Sequence, residues 1–127
     1  MHLGALYVDR PDLGDAAAHL ALAQEWHDAY GDLRGRGRVR ILLGRLAVRD
    51  GQPDKAVAHL AEAVDLLRPV PRMCAAALVD LGEAWIRIGD PDRAGAALAG
   101  ARDMFARIGA TSGLARVEAR LAELHGA

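Results

Sequence analysis

The chain has little of what a β-sheet protein or a disulfide-linked protein needs. Only five of its 127 residues are aromatic, and Cys74 is the single cysteine. With a single cysteine, the 127 residues can hold no internal disulfide, which suits a reducing compartment. We expect Cys74 to be a small buried core residue rather than a reactive thiol. Valine and isoleucine are sparse and never alternate with polar residues over the length of a strand, so a sheet has little support.

Long apolar runs and an excess of one charge are also missing. The 16 basic and 17 acidic side chains give a formal net charge of −1, which supplies no general attraction to nucleic acid or to an anionic membrane. No apolar run approaches the roughly 20 residues that span a bilayer, and residues 1–30 lack the pattern of a secretory signal. We expect a cytoplasmic protein with no direct nucleic-acid or membrane partner.

Alanine and leucine supply the apolar bulk instead. The 27 alanines indicate closely packed helices, because alanine has the highest helix propensity of all residues. The sequence therefore predicts an all-α protein with a polar, glycine-rich connection at residues 31–37. We expect the arginine-rich residues 34–40 to be a flexible solvated linker rather than a nucleic-acid contact, because a wider basic face, interleaved aromatics and a docking helix are missing. Periodicity and helix-breaking residues predict seven helices, at about Met1–Asp9, Leu13–Tyr30, Arg38–Arg49, Pro53–Leu67, Arg72–Ile88, Pro91–Ile108 and Ser112–His125.

One pattern of small and apolar residues occurs three times, at offsets of 40 and 38 residues. A fixed period of this size is typical of stacked repeat proteins. A glycine inside a helix costs about 1 kcal/mol relative to alanine, so a repeated one indicates a steric purpose. We predict that two of these glycines lie against the alanine 12 positions later and let paired helices approach closely. The repeated positions are Gly4, Ala16 and Leu20; Gly44, Ala56 and Leu60; and Gly82, Trp85, Ala94 and Leu98.

The turns within the repeats carry their own signals. Gly89 is placed where a helix end favours positive φ, Asp90 can cap the next helix, and Pro91 suits the first helical position. The segment Gly51–Pro53 repeats this arrangement with glutamine as a poorer cap. The first copy has Pro11 in the glycine position, and because proline cannot adopt positive φ, we expect that turn to differ.

These residues resemble the tetratricopeptide repeat, whose first helix carries a Leu-Gly pair at its middle, as Leu43-Gly44 and Leu81-Gly82 do here. The resemblance implies a right-handed α-solenoid of antiparallel helix pairs, with about 3.5 repeat units. It divides this single domain into a truncated first repeat (1–30), a second (38–68), a third (72–108) and a C-terminal capping helix (112–125).

The first helix begins at the fifth position of the repeat pattern and so lacks its opening turn. A solenoid that begins within a helix exposes the face that an upstream repeat would cover. The sequence leaves three explanations open: the chain is the C-terminal piece of a longer array, the exposed face dimerises, or the start is misplaced.

The resemblance also implies a concave groove lined by the first helix of each pair. Arginines are concentrated there, and guanidinium groups pair bidentately with carboxylates and phosphates, which favours an acidic protein or peptide as partner. The alternative is that arginine is simply the default cation, since 15 of the 16 basic residues are arginine. The candidate groove residues are Arg38, Ile41, Arg45, Val48, Arg49, Val79, Glu83, Ile86 and Arg87, with Ser112, Ala115, Ala119 and Ala122 on the capping helix.

Catalytic and metal-binding patterns are missing from the sequence. There is no nucleophile with its base, no phosphate loop and no dinucleotide fingerprint. His19, His27 and His59 lack the spacing of metal ligands, and we expect them on solvated helix surface. We therefore predict no enzymatic activity, no cofactor and no metal, and we expect the charged residues of the last helix, such as Arg116 and Arg120, to form its polar outer side.

The sequence thus predicts a non-catalytic protein–protein interaction module. The run from Ala101 to Ala110 resembles the end of the repeat arrays in large bacterial regulators that couple an ATPase core to a sensor solenoid. This likeness implies a regulatory segment of a signalling or transcription regulator. The alternative is a self-association module that dimerises through its uncapped N-terminal helix.

Overall fold

The computed structural model describes residues 13–126, and that part of the chain consists of helices and turns without a strand. The all-α prediction is confirmed for these residues. The predicted helix at 1–9, with Gly4, and the turn at Pro11 lie outside them. The six helices are α1 (Leu13–Tyr30), α2 (Leu33–Arg49), α3 (Pro53–Leu66), α4 (Pro71–Ile88), α5 (Pro91–Ile108) and α6 (Thr111–Gly126).

Each helix packs mainly against its neighbours in the chain. The most extensive contacts join α4 to α5 and α2 to α3, and α2 also packs against α4. Alternate helices therefore come together on one side of the fold. Among the described helices, none has the length and apolar character required to cross a bilayer.

Helix α4 belongs to two hydrophobic clusters. The first cluster joins α2, α3 and α4 around Leu60 and Leu67, and the second joins α4, α5 and α6 around Leu98 and Phe105. The three leucines are completely buried, and burying such a side chain contributes about 1.5–3 kcal/mol. The two clusters together join the five consecutive helices α2 to α6.

Cys74 lies inside the first cluster, as predicted. It is 1% exposed, and its thiol donates to the carbonyl oxygen of Val64 at 3.5 Å. Burial raises the pKa of this thiol, which disfavours the reactive thiolate.

The two glycines of the repeat pattern each face a leucine of the following helix. A Cβ placed on Gly44 would lie 2.5 Å from Cγ of Leu60, and one on Gly82 would lie 2.8 Å from Cγ of Leu98. The prediction of a close approach is confirmed. At Gly82 the predicted partner Ala94 is near, with its carbonyl oxygen 3.4 Å from the Cβ position, and at both glycines the nearest atoms belong to a leucine of the following helix.

The prediction of a flexible linker at residues 34–40 is wrong, and most of the predicted connection at 31–37 is helical. Helix α2 begins at Leu33, and the Asp32 side chain caps it by accepting from the N–H of Gly35 at 2.7 Å. Gly37 is buried, and a Cβ there would overlap the side chain of Leu67. These glycines make room for side chains from other helices, so they are a requirement of packing rather than a source of flexibility.

The same glycines correct the expectation for His27. Its ring lies against Gly31 and Gly35, where a Cβ on Gly35 would approach it to 2.7 Å. Its Nδ1 atom is buried without a hydrogen-bond partner. His27 is therefore packed into the α1–α2 turn and does not lie on a solvated surface.

The predicted turn chemistry is confirmed at both described repeats. Gly89 ends α4 with φ of 91°, and the Asp90 side chain accepts from the N–H of Arg93 at 3.0 Å. Gly51 has φ of 72°, and Gln52 precedes α3 without a side-chain capping bond. Positive φ is accessible to glycine at little cost, so these two residues fix where α4 and α2 give way to the next helix.

Trp85 connects α4 to α5 from outside the two hydrophobic clusters. The guanidinium carbon of Arg93 lies 4.8 Å from the centroid of its ring. At this distance a cation over the face of tryptophan is attracted by the ring's quadrupole. This contact joins α4 to the first turn of α5.

Replacing Gly82 with leucine is expected to lower the free energy of unfolding by about 1–3 kcal/mol, because the new side chain would overpack against Leu98. Gly95→Leu is the matched control on α5, where a Cβ would have no neighbour closer than 3.7 Å. Leucine has the higher helix propensity, so the control is expected to keep or gain stability, by up to about 1 kcal/mol. Urea unfolding followed by circular dichroism measures both, and an unchanged value for Gly82→Leu would contradict the packing argument.

Candidate functional site

A cleft of about 310 Å³ lies where α2, α4 and α6 come together. Its apolar floor comes partly from α5, and charged side chains from the other three helices form its walls. The lining residues are Arg45, Ala76, Val79, Asp80, Glu83, Leu98, Phe105, Gly113, Arg116, Val117 and Arg120.

Two ion pairs cross the cleft between alternate helices. Arg45 Nε on α2 donates to Asp80 Oδ2 on α4 at 2.8 Å. Arg120 on α6 donates through Nε and Nη2 to the two carboxylate oxygens of Glu83 on α4, at 2.6 and 2.9 Å. Its Nη1 donates to Glu123 at 2.9 Å. The bidentate geometry of the Arg120–Glu83 pair is the most directional form of arginine–carboxylate pairing, so this pair fixes how the facing side chains of α4 and α6 are oriented.

The two ion pairs differ in electrostatics. Partial burial raises the pKa of Asp80 above its usual range, although Arg45 acts in the opposite direction. The hydrogen bonds that Arg120 donates to Glu83 raise the pKa of Arg120. Desolvation therefore has the largest effect on the pKa of Asp80, whereas direct hydrogen bonds have the largest effect on the pKa of Arg120.

Three of the predicted groove residues on α2 share an exposed face, and one prediction on this helix needs correction. Arg38, Arg45 and Arg49 are exposed, but Ile41 is 7% exposed and belongs to the first core cluster. Leu42 takes its place at the surface, with 39% of its area exposed. Residues 38, 42, 45 and 49 are spaced so that they lie on one face of a helix. The sequence alone therefore favoured Leu42 over Ile41 on this face.

The other predicted residues divide between the cleft and its surroundings. Val79 and Glu83 line the cleft, whereas Val48 is partly buried against the first core cluster. Ile86 is half-buried and Arg87 is exposed, and neither lines the cleft. The structure thus brings the middle of α4 to the site and leaves the end of that helix beside it.

Arg116 and Arg120 are the residues that sequence reasoning missed. The expectation that they form the outer polar side of the last helix is wrong, because both line the cleft. A signal existed in the charges: Glu83 and Arg120 are 37 residues apart and Arg45 and Asp80 are 35 apart. Opposite charges about one repeat apart are well placed to pair across stacked helices.

A second cavity, of about 500 Å³, adjoins this cleft at the first turns of α4 and α6. It shares four lining residues with the cleft and adds Arg72 from α4. No carboxylate lines it. Its residues are Arg72, Ala76, Phe105, Gly109, Ala110, Thr111, Ser112, Gly113 and Arg116.

A separate ion-pair network holds α1 against α2 and α3. Arg40 donates to Glu62 on α3 at 2.6 Å and to Asp28 on α1 at 3.0 Å. The hydrogen bond from Arg40 holds the pKa of Asp28 below its usual range. Since none of these residues lines the cleft, this network is a structural connection between helices.

The acidic residues and histidines of the described helices do not gather into a metal-binding arrangement. Within residues 13–126, no three His, Cys, Asp or Glu side chains are grouped so that they could hold a metal ion. Asp65 and Asp103 share a repeat position, but each pairs with an arginine close to it in the chain, Arg68 or Arg102. Partial burial lowers the pKa of His59.

Comparison with protein-family models finds none that matches the chain, and comparison with curated proteins finds no significant relative. The arrangement of side chains in the cleft therefore carries the functional argument.

Carbon-detected NMR titration of the aspartate carboxyls is expected to show Asp28 titrating below the usual range and Asp80 above it. Ionised Asp28 therefore stabilises the fold above its unfolded-state pKa, and this contribution is lost as the pH falls. Protonated Asp80 stabilises the fold at low pH, and this contribution is lost as the pH rises through the pKa of Asp80 in the folded protein. Arg40→Gln should raise the pKa of Asp28, and Arg45→Gln should raise that of Asp80 further, because each removes a nearby positive charge. Titration curves unaffected by these substitutions would contradict the ion pairs.

Proposed function

We propose that the chain is a right-handed α-solenoid of tetratricopeptide-like helix pairs, and that it acts as a non-catalytic protein–protein interaction module. Three features support the solenoid. Consecutive helices make most of the contacts, the same glycine–leucine packing recurs at Gly44 and Gly82, and glycines of positive φ follow both α2 and α4.

The observation that carries the function is the cleft between α2, α4 and α6. Its charged walls are held in place by ion pairs between helices, so a bound segment would not have to order them. Such preorganisation lowers the entropic cost of binding. Ala76 and Val79, which line the cleft and are partly exposed, offer apolar contact to a peptide or to an element of a partner domain.

The charges of this face favour an acidic segment. Asp80 and Glu83 are already paired with Arg45 and Arg120. In the described part of the chain, Arg38, Arg49, Arg72, Arg87 and Arg116 take part in no ion pair. Of these arginines, Arg116 lines the cleft and Arg72 lines the adjoining cavity, and among the described residues the only acidic side chains that line either of them are the paired Asp80 and Glu83. An acidic partner would therefore meet unpaired positive charge here, which favours association and partner choice.

The biological setting follows from the sequence resemblance. We propose a cytoplasmic sensor or regulatory segment of a bacterial signalling or transcription regulator, on the likeness of residues 101–110 to the end of such arrays. In that setting the cleft would receive a segment of a partner protein, and further repeats could precede residue 1.

Selection from a displayed library of short random peptides tests the groove directly. We expect peptides enriched in Asp and Glu that bind the wild-type protein, because unpaired arginines flank the cleft. Ala76→Trp should weaken their binding at least about tenfold, because Ala76 lines both cavities and the indole would fill them. Fluorescence anisotropy of a labelled peptide measures the affinity.

The matched control places the same side chain elsewhere. Ala61 is exposed on α3 and lines neither cavity, so Ala61→Trp should leave the affinity unchanged. Equal binding by Ala76→Trp and Ala61→Trp, with both variants folded by circular dichroism, would rule out the cleft as the binding site.

Self-association is the second candidate function, and one observation favours it. Leu22 is 65% exposed and Trp26 is 57% exposed, and they lie one turn apart on the same face of α1. Adjacent exposed large apolar side chains of this kind mark interaction surfaces. A second copy of the chain, or an upstream repeat, would cover this face.

Light scattering over a range of protein concentrations tests self-association through α1. If this face dimerises, wild type should form a concentration-dependent dimer, and Leu22→Asp should abolish it because an unpaired carboxylate would be buried at the interface. Ala61→Asp, on the exposed side of α3, should leave the dimer intact. A wild-type protein that stays monomeric at all concentrations would contradict this function.

A further inference from the structure

We propose that the second cavity, formed by the first turns of α4 and α6, is a binding subsite for a phosphate monoester carried by the bound peptide. This inference rests on the proposed peptide-binding function and names the chemistry of one end of the groove. It also moves anion recognition away from Arg45, which the sequence pointed to, because Arg45 is neutralised by Asp80.

The charge balance of this cavity differs from that of the adjoining cleft. Its walls contain Arg72 and Arg116 but no acidic residue, and neither arginine forms an ion pair within residues 13–126. The cleft shares Arg116 with this cavity, but its other two arginines, Arg45 and Arg120, are paired with Asp80 and Glu83. The uncompensated positive charge therefore sits at one end of a continuous groove.

The cavity presents many more donors than a single carboxylate can use. Each guanidinium has five N–H donors, and Thr111 and Ser112 line the same cavity with hydroxyl groups that no side-chain hydrogen bond within the described residues occupies. A phosphate monoester carries close to two negative charges and three strong acceptor oxygens near neutral pH. It matches two arginines and two hydroxyls better than a carboxylate does.

The remaining walls can take the group that carries the phosphate. Phe105 is buried, and its ring packs against Gly113, where a Cβ would lie 2.8 Å from the ring. Ala76, Phe105 and Gly113 line both cavities, so a chain running along the cleft can place one phosphorylated side chain between Arg72 and Arg116.

The first experiment titrates isotope-labelled full-length chain with phenyl phosphate and follows the backbone amides by NMR. At about 10 mM phenyl phosphate, a site with a millimolar Kd is mostly occupied. We expect shift changes concentrated in residues 109–116, and at least about tenfold weaker binding by the Arg72→Gln/Arg116→Gln double variant. Arg34→Gln, an exposed arginine in the first turn of α2, should bind like wild type.

Two further ligands decide whether the subsite recognises phosphate. Benzoate has a similar ring but one negative charge, and it should bind more weakly than phenyl phosphate. Inorganic phosphate should shift the same amides. No change in residues 109–116, equal binding of benzoate and phenyl phosphate, or unaltered binding by the double variant would each overturn the proposal. Melting curves of the variants establish that both are folded.

A peptide experiment separates this proposal from the general function of the groove. Among library peptides that bind, phosphorylating one serine or threonine at the matching position should raise the affinity in wild type and not in the double variant. Phosphopeptide enhancement supports the subsite. If peptides bind in a way that Ala76→Trp abolishes, but phosphorylation at no position helps, the groove stands and the phosphate subsite fails. If phenyl phosphate binds and no peptide does, the peptide function fails instead.

Discussion

The close approach of a glycine on one helix to a leucine on the next is the constraint on which the rest of the structure depends. At Gly44 and Gly82 there is no room for even one additional carbon beside Leu60 and Leu98. Interiors are packed so densely that such a fit fixes the distance between two helices within a few tenths of an ångström. Once that distance is fixed in two successive pairs, α4 can share its surface between both hydrophobic clusters.

That spacing also determines what the charged side chains can do. Because α2, α4 and α6 lie side by side, Glu83 and Arg120 reach each other across the cleft, as do Arg45 and Asp80. The pairs neutralise the middle of the groove and leave positive charge at its edges. A surface rich in arginine is therefore divided into a part that supports the architecture and a part that is open to a ligand.

Features fixed by neighbouring residues could be predicted from the sequence, and features that depend on distant side chains could not. The turn at Gly89 was predictable because its φ angle and its cap are local properties. The role of residues 31–37 was missed because their glycines accommodate Leu67, which comes from a different helix. Arg120 was missed for the same reason, since its partner Glu83 lies on another helix and their meeting depends on how the helices stack.

The position of α4 between two cores has a consequence for how the molecule opens. Since most contacts join consecutive helices, either end can open while the contacts at the other end persist. Opening of this kind proceeds in contiguous cooperative units. Amide protons in α4 should exchange with solvent most slowly, because this helix contributes buried residues to both hydrophobic clusters. Slow exchange would then coincide with the helix that contributes Asp80 and Glu83, so the wall of the groove is also its last element to unfold.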